Sequence, residues 1–134
     1  MRYLPLVLAL MACGGGYSPA GRYSEEASDN KSESVLIIHR GGSFDLLVSR
    51  WNDSQRQQLR SDETLTGQWE LIGTSGVLLS AEKIRDGTKP GFQGPWESDD
   101  TRMKLEMIGT GGDLEVTAGS YWNPTGGRFL KVSN

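Results

Sequence analysis

Along most of this chain, apolar residues alternate with polar ones, and glycine-rich pieces separate the alternating segments. Residues 43–51 show the pattern, since Phe44, Leu46 and Val48 fall on one face. Asp45 falls on the opposite face. This period of two residues is that of a half-buried β-strand. Beyond the amino terminus no segment carries the i, i+3, i+4 stripe of an amphipathic helix, so the pattern predicts an all-β protein.

Eight such segments follow one another and predict a single β domain over residues 21–134. We predict strands at residues 21–24, 34–40, 43–51, 64–72, 77–84, 101–108, 113–118 and 128–132. Glycine-rich turns of the hairpin type separate several of them. Consecutive hairpins favour an antiparallel up-and-down barrel of about eight strands, or a related sandwich, because closure removes edge strands that would otherwise aggregate.

The middle of the chain is less regular. Residues 52–63 hold a single apolar side chain and are predicted to form a long polar connection. Residues 64–72 alternate again. Their period predicts that Leu65, Trp69 and Leu71 all face the interior.

The amino terminus has the organisation of a secretory signal peptide. Arg2 precedes the apolar run at residues 4–12, which ends in a small residue. This run is too short to span a bilayer, which needs about 20 apolar residues. We therefore predict that residues 1–12 are a cleaved signal peptide.

The end of that peptide, Leu10-Met11-Ala12-Cys13, resembles the bacterial lipobox, with an aliphatic residue three positions before the cysteine and a small one directly before it. The resemblance implies cleavage before Cys13, diacylglycerol on its sulfur and acylation of the new amino terminus. Residues 13–20 would then form a lipidated, flexible tether. The alternative is an ordinary signal peptide followed by an incidental cysteine.

The charge balance limits the partners. The chain has 14 basic and 17 acidic side chains, a formal net charge of −3. This excludes nucleic acid as a natural partner, since phosphate binding needs clustered Lys and Arg, and it supplies no polybasic patch for anionic lipids. Membrane attachment would therefore come through the lipid on Cys13. Gly14, in place of Asp, resembles an outer-membrane sorting signal, which predicts a bacterial envelope protein facing the periplasm or the cell surface.

The inventory of chemically active side chains is small. His39 is the single histidine, and no Gly-x-Ser-x-Gly elbow is present. The adjacent carboxylates Glu25–Glu26 and Asp99–Asp100 are predicted to be solvated rather than paired in a cleft. We therefore expect no enzymatic activity, no metal site and no cofactor.

Aromatic residues gather in two connections that glycine and proline would hold in shape. Phe92 and Trp96 lie in one, and Tyr121 and Trp122 lie in the other. Aromatic side chains on shaped loops give a binding surface large apolar area at low entropic cost. We predict that these four residues bind a ligand or partner. The alternative is that they fold back and plug the end of the barrel.

The body of the chain has a recurrent order of turn and core residues. It reads Gly-Arg-Tyr-Ser at 21–24, Gly-Gly-Ser-Phe at 41–44, Thr-Gly-Gln-Trp at 66–69 and Val-Leu-Leu at 77–79. This order is similar to the lipocalin-like amino-terminal domain of the copper-homeostasis and envelope-stress lipoproteins. The resemblance implies a lipocalin-like fold. The Cys-x-x-Cys motif of that family is missing here, so the resemblance does not extend to a metal or redox role.

These observations predict a lipid-anchored, non-enzymatic envelope protein whose barrel-like domain binds a small ligand, a glycan or an envelope partner. The alternative is an inhibitor of a cell-wall-degrading enzyme such as lysozyme. A cavity of several hundred Å3 inside the barrel would favour a carrier of small ligands, and a filled interior would favour the other possibilities.

The anchor can be tested by replacing Cys13 with Ser. Cell fractionation should move the Cys13→Ser protein from the membrane to a soluble envelope fraction, because stable anchoring requires two or more acyl chains. A Gly16→Ser variant serves as the control and should stay in the membrane fraction. A Cys13→Ser protein that remains wholly membrane-bound would contradict lipidation as the anchor.

Overall fold

In the computed structural model, which describes residues 17–26, 30–88, 104–119 and 127–134, each strand hydrogen-bonds to the next along the chain. The strands of these residues are β1 (Gly21–Glu25), β2 (Ser32–Ile38), β3 (Ser43–Trp51), β4 (Leu59–Ile72), β5 (Gly76–Asp86), β6 (Lys104–Thr110), β7 (Asp113–Gly119) and β8 (Arg128–Ser133). All neighbours are antiparallel, and β8 pairs with β1 to close the barrel. The predicted all-β up-and-down barrel is confirmed.

The core lies inside the barrel and is built from inward-facing positions of every strand. One layer runs across five strands through the register pairs that join Tyr23, Leu36, Leu46, Leu65 and Ile84. All five of these side chains are buried. The remaining buried apolar residues are Ile38, Phe44, Val48, Val77, Leu79, Leu105, Met107, Leu114, Val116 and Phe129. The period of two that predicts these strands therefore marks the side of each strand that faces the core.

Strand β4 differs from the prediction at its start. Residues 59–63 belong to the strand and not to a polar connection. They pair with β3, as in the partners Ser49–Asp62 and Arg50–Ser61. The alternation of apolar residues is absent here because this end of the barrel is polar on the inside. Arg50 there forms an ion pair with Glu63, with the Nη1 and Oε1 atoms 3.0 Å apart.

The far end of β4 also departs from the simple alternation. Leu65 is buried as predicted, but Leu71 is exposed, so its predicted inward position is wrong. Trp69 is partly buried and packs against the edge of the core. The reason is that β3 pairs with β4 only as far as Gln68, so that residues 69–72 extend beyond the wall formed by β3.

A bulge between Thr66 and Gly67 shifts the register of β4 against β5. The extra residue is Glu82 of β5, since Thr66 pairs with Lys83 and Gly67 pairs with Ala81. Glycine is required at position 67, opposite the bulge, because a Cβ atom there would overlap the carbonyl oxygen of Ser80. This bulge increases the local twist, as bulges at barrel walls commonly do.

Sequential antiparallel strands place their connections alternately at the two ends of the barrel. We call the end with the short turns 39–42, 73–75 and 111–112 the turn end. We call the opposite end, where β1–β2, β3–β4, β5–β6 and β7–β8 are connected, the loop end. The two ends differ in the length of their connections and, as shown below, in their polarity.

The segment before β1 closes the turn end. Pro19 is fully buried, and its carbonyl oxygen accepts a hydrogen bond of 2.6 Å from the Tyr23 hydroxyl. Tyr17 packs against the core, and its hydroxyl lies so close to Gly109 that a Cβ there would be 2.6 Å from the oxygen. The predicted flexible tether of residues 13–20 is thus corrected for residues 17–20, which are part of the barrel end. The reason is that the aromatic ring and the proline bury apolar surface there.

Two adjacent leucines of β3 provide a matched test of the barrel interior. Leu46 faces inward and is 3% exposed, whereas Leu47 faces outward and is 39% exposed. Leu46→Ala should lower the free energy of unfolding by about 2–5 kcal/mol, because it leaves a cavity in the core. Leu47→Ala should change it by no more than about 0.5 kcal/mol. Urea denaturation measures both, and equal losses would contradict the assigned face.

The closed turn end predicts an alkaline instability. The pKa of Tyr23 is raised to about 12. Burial of its side chain is the largest cause, and the nearby Tyr17 and Asp113 raise the pKa further. Since the folded-state pKa lies above the ordinary value of about 10, this group stabilises the fold fully below pH ~10 and loses that contribution as the pH rises through 12.

Unfolding curves between pH 9 and 12 should therefore show a steeper loss of stability for the natural protein than for Tyr23→Phe. At neutral pH, Tyr23→Phe should lower the free energy of unfolding by roughly 1–3 kcal/mol, because the buried carbonyl of Pro19 loses its donor. Parallel pH profiles for the two proteins would show that Tyr23 does not titrate in this range.

Candidate functional site at the loop end

The two aromatic-rich connections begin and end at the same end of the barrel. Strand β5 ends at Asp86 and β6 begins at Lys104, while β7 ends at Gly119 and β8 begins at Arg128. All four of these strand ends belong to the loop end. The predicted site residues Phe92, Trp96, Tyr121 and Trp122 lie outside the described residues, as does Cys13. The topology therefore brings the two connections to one end.

A polar layer lines the inside of the barrel just below this end. Register pairs run from Ser34 to Val48, from Val48 to Glu63 and from Glu63 to Asp86. Glu63 holds Arg50 in the ion pair described above. The Ser34 hydroxyl is buried and has no hydrogen-bond partner within the described part of the chain. Three of the four residues in this row are polar, and the fourth, Val48, belongs to the apolar core.

Asp86 fixes the start of the connection that leads to Phe92 and Trp96. It is 3% exposed, and its Oδ1 atom accepts hydrogen bonds from the backbone N–H groups of Asp62 and Thr88. The Thr88 hydroxyl donates a third bond to the same oxygen, at 2.8 Å. A buried carboxylate that accepts several hydrogen bonds holds the surrounding backbone in a defined geometry. Residues 87–88 therefore leave the barrel in a fixed direction.

Among the described core residues, the interior beneath the polar layer is closely packed. A cavity of about 10 Å3 remains between described core residues. It is lined by Phe44, Leu46, Leu65, Leu79, Ala81, Lys104 and Leu105. A space of this size holds at most one water molecule, whereas small-molecule pockets occupy about 300–1,000 Å3. This part of the interior cannot accommodate a ligand, so a binding site at this end has to use the loops.

The β3–β4 connection provides one such surface. The guanidinium group of Arg56 lies over the indole ring of Trp51, 4.4 Å from the ring centroid. The same group donates from Nε to the carbonyl oxygen of Asn30, at 3.0 Å, and pairs with Glu33 at 3.3 Å. We call Trp51, Arg56, Asn30 and Glu33 the Trp51–Arg56 platform.

The backbone of this connection is strongly braced. Arg56 has a φ angle of 58°, in the left-handed region that non-glycine residues seldom occupy. Asp53 accepts hydrogen bonds from the backbone N–H groups of Gln58 and Gln57, and these bonds lower the pKa of its carboxyl group. Side-chain bonds of this type hold a loop in a turn geometry. The platform is thus a preformed surface.

The periodicity of the sequence does not reveal the platform, because the pattern marks residues 52–58 only as polar. The one signal for the platform in the sequence is the arginine five positions after Trp51. This spacing alone does not indicate that the two side chains are in contact. The contacts of Arg56 with Asn30 and Glu33 join residues 26 and 23 positions apart, and only the pairing of β2 with β3 brings them together.

His39 lies at the turn end, away from this surface. Its Nε2 atom is 2.8 Å from Oδ2 of Asp45, and both side chains are exposed. The carbonyl oxygen of His39 accepts a hydrogen bond of 2.7 Å from the Trp69 indole N–H. The hydrogen bond between Trp69 and His39 holds the β2–β3 turn against the end of β4. Within the described ranges, no group of three or more potential metal ligands comes together.

Comparison with known proteins adds no relative. No protein-family model matches the chain, and no curated protein and no solved structure matches it. Within the same described residues, no helix is long and apolar enough to cross a membrane.

Proposed function

We propose that this chain is a lipid-anchored, non-enzymatic protein of the bacterial envelope that binds a glycan or a partner protein at the loop end of its barrel. The observation that carries the proposal is the contrast between a filled interior and a braced loop surface. The cavity of about 10 Å3 speaks against transport of a small apolar ligand inside the barrel. The Trp51–Arg56 platform offers instead a guanidinium group stacked on an indole ring, beside a carboxylate.

The chemistry of the loop end favours polar partners. The platform combines an indole, a guanidinium group and the carboxylate of Glu33. The neighbouring connection carries Glu97, Asp99 and Asp100 beside Trp96 in the sequence. Aromatic faces mixed with carboxylates suit a glycan or a basic protein surface better than a fatty acid. Trp and Arg are also the residue types that most often dominate binding energy at interfaces.

An inhibitor of a cell-wall-degrading enzyme remains the second candidate, and one observation favours it. The side chain of Asp53 and the contacts of Arg56 brace the β3–β4 loop. A preformed loop avoids the entropic cost of ordering when it enters a partner's cleft. The same braced loop would serve either function, so the assay has to separate them.

Two assays with the soluble Cys13→Ser protein make this separation. Binding of a wall glycan should bring the protein down with purified peptidoglycan sacculi on centrifugation. Inhibition should instead slow the hydrolysis of the same sacculi by lysozyme without such co-sedimentation. A protein that does neither would overturn both the glycan proposal and the inhibitor proposal.

Substitutions at the loop end should identify the surface. Trp51→Ala and Arg56→Ala should each weaken the positive assay by at least about tenfold, as truncation of a central aromatic or arginine anchor does. Arg40→Ala, at the exposed β2–β3 turn of the opposite end, is the matched control and should leave the assay unchanged. An equal effect of Arg40→Ala would place the binding surface elsewhere.

The predicted aromatic residues need their own variant. Trp96→Ala/Trp122→Ala should abolish binding while leaving the melting temperature within a few degrees of the parent. If these side chains instead plug the barrel, the double variant should lose several kcal/mol of stability, as removal of large buried aromatics does. Such a loss would contradict their assignment as binding residues.

A further inference from the structure

The turn end of the barrel exposes several large apolar side chains. Register pairs join Ile72 to Gly76 and Gly76 to Ile108, so the two isoleucines flank a glycine across three adjacent strands. Ile72 is 39% exposed and Ile108 is 41% exposed. Leu71 is also exposed, on the opposite face of β4 from Ile72. We call Leu71, Ile72 and Ile108 the apolar rim.

The rim borders an open groove and sits at the edge of the barrel. The groove has a volume of about 410 Å3, and its lining includes Ile72, Gly76 and Ile108 on the side of the turns and Glu106 on the side away from them. The β4–β5 hairpin that carries Ile72 extends past the last residue pair of β3 and β4. The rim is therefore the part of the wall that a flat surface would meet first at this end.

Charge changes sharply on moving away from the rim. The turns 39–42, 73–75 and 111–112, and the segment 17–20, contain no side-chain carboxylate. The next outward-facing row, reached two residues farther along the strands, joins Glu70 through Leu78 to Glu106. Two residues correspond to about 7 Å along a strand. The exposed residues of β4 and β6 therefore change from isoleucine to glutamate within about 7 Å along the strands.

The carboxylates nearest to the turns are already engaged. Asp45 contacts His39 at 2.8 Å. Asp113 accepts the backbone N–H of Lys131 at 2.9 Å, and its other oxygen lies 3.9 Å from Arg128. Arg40 remains exposed in the β2–β3 turn. The outermost side chains of this end are therefore a basic residue and apolar groups, and Glu70 and Glu106 follow two residues farther from the turns.

The position of the amino-terminal segment sets the distance to the proposed anchor. Tyr17 is seated on the turn end next to Gly109. Only Gly14, Gly15 and Gly16 separate it from Cys13. Four residue spacings span at most about 14 Å even when fully extended. Acyl chains on Cys13 would therefore keep this end, and not the loop end, next to the bilayer.

We propose that the turn end is a membrane-contact surface, with the apolar rim in the headgroup region of the bilayer and the loop end directed away from it. The inference rests on the proposed lipidation of Cys13. Leucine and isoleucine side chains at the level of the headgroups bury apolar surface there, without a whole strand entering the bilayer. The acidic row of Glu70 and Glu106 would mark the limit of immersion, since carboxylates are disfavoured at an anionic surface.

The single natural cysteine makes this orientation measurable. Once Cys13 is acylated, a cysteine introduced elsewhere is the only thiol that a fluorophore can label. Thr74→Cys places the label in the β4–β5 turn, and Ser54→Cys places it in the β3–β4 loop; both positions are exposed. The two positions lie at opposite ends of the barrel, roughly 30 Å apart from strand rise and tilt.

The lipidated proteins are reconstituted into vesicles of phosphatidylcholine and phosphatidylglycerol that contain headgroup-labelled quencher lipids. Quenching at position 74 should exceed that at position 54 by at least about threefold, because interfacial contact reaches only about 5–10 Å from the boundary. Ile72→Ser/Ile108→Ser should reduce quenching at position 74 without releasing the protein. Leu47→Ser, on the outer wall, is the control and should not reduce it.

The possible failures are distinguishable. A protein that does not float with the vesicles would contradict lipidation and overturn the inference together with its premise. A protein that floats but shows equal or greater quenching at position 54 would leave the anchor intact and overturn the orientation. Unchanged quenching at position 74 in the double isoleucine variant would show that the rim does not contact lipid.

Discussion

The pairing of β8 with β1 is the interaction on which the rest of this structure depends. It joins Arg22 to Ser133 and Glu25 to Phe129 and turns eight consecutive hairpin strands into a closed barrel. With one cysteine in the sequence, the chain can form no internal disulfide, so the described domain is held by hydrogen-bonded closure and by its core. Closure removes the sheet edges through which such a protein would aggregate.

Closure also decides where function can reside. Fifteen buried apolar side chains fill the described interior, and the space left among them fits about one water molecule. The core therefore stabilises the domain, and the proposed recognition would take place at its ends. The ends differ because one carries short turns and the packed segment 17–20, whereas the other carries the polar layer and the braced platform around Trp51 and Arg56.

This division gives the proposed anchor and the proposed binding surface opposite places. Tyr17 and Pro19 tie the amino-terminal segment to the turn end. The Trp51–Arg56 platform and the boundaries of both aromatic-rich connections lie at the loop end. With the lipid anchor attached at the turn end, the platform at the loop end would face away from the membrane. The barrel wall itself separates the two ends, so no second domain is needed.

The sequence by itself determined the strands and the faces of most of them, because alternation of period two is a local property that each strand carries in its own residues. It predicted the inward positions of Phe44, Leu46 and Val48, which are buried. The turn glycines likewise marked the ends of the hairpins. It also identified the aromatic-rich connections, whose flanking strands meet at one end, although the four predicted binding residues lie outside the described part of the chain.

Only the tertiary structure decided the features that depend on distant pairing. The polar start of β4 is a strand because β3 pairs with it, and Leu71 is exposed because β3 ends before it. Arg56 reaches Asn30 and Glu33 only through the register of β2 and β3. Local alternation specifies which face of a strand is apolar, but it carries no information on where a neighbouring strand ends or which residues meet across the barrel.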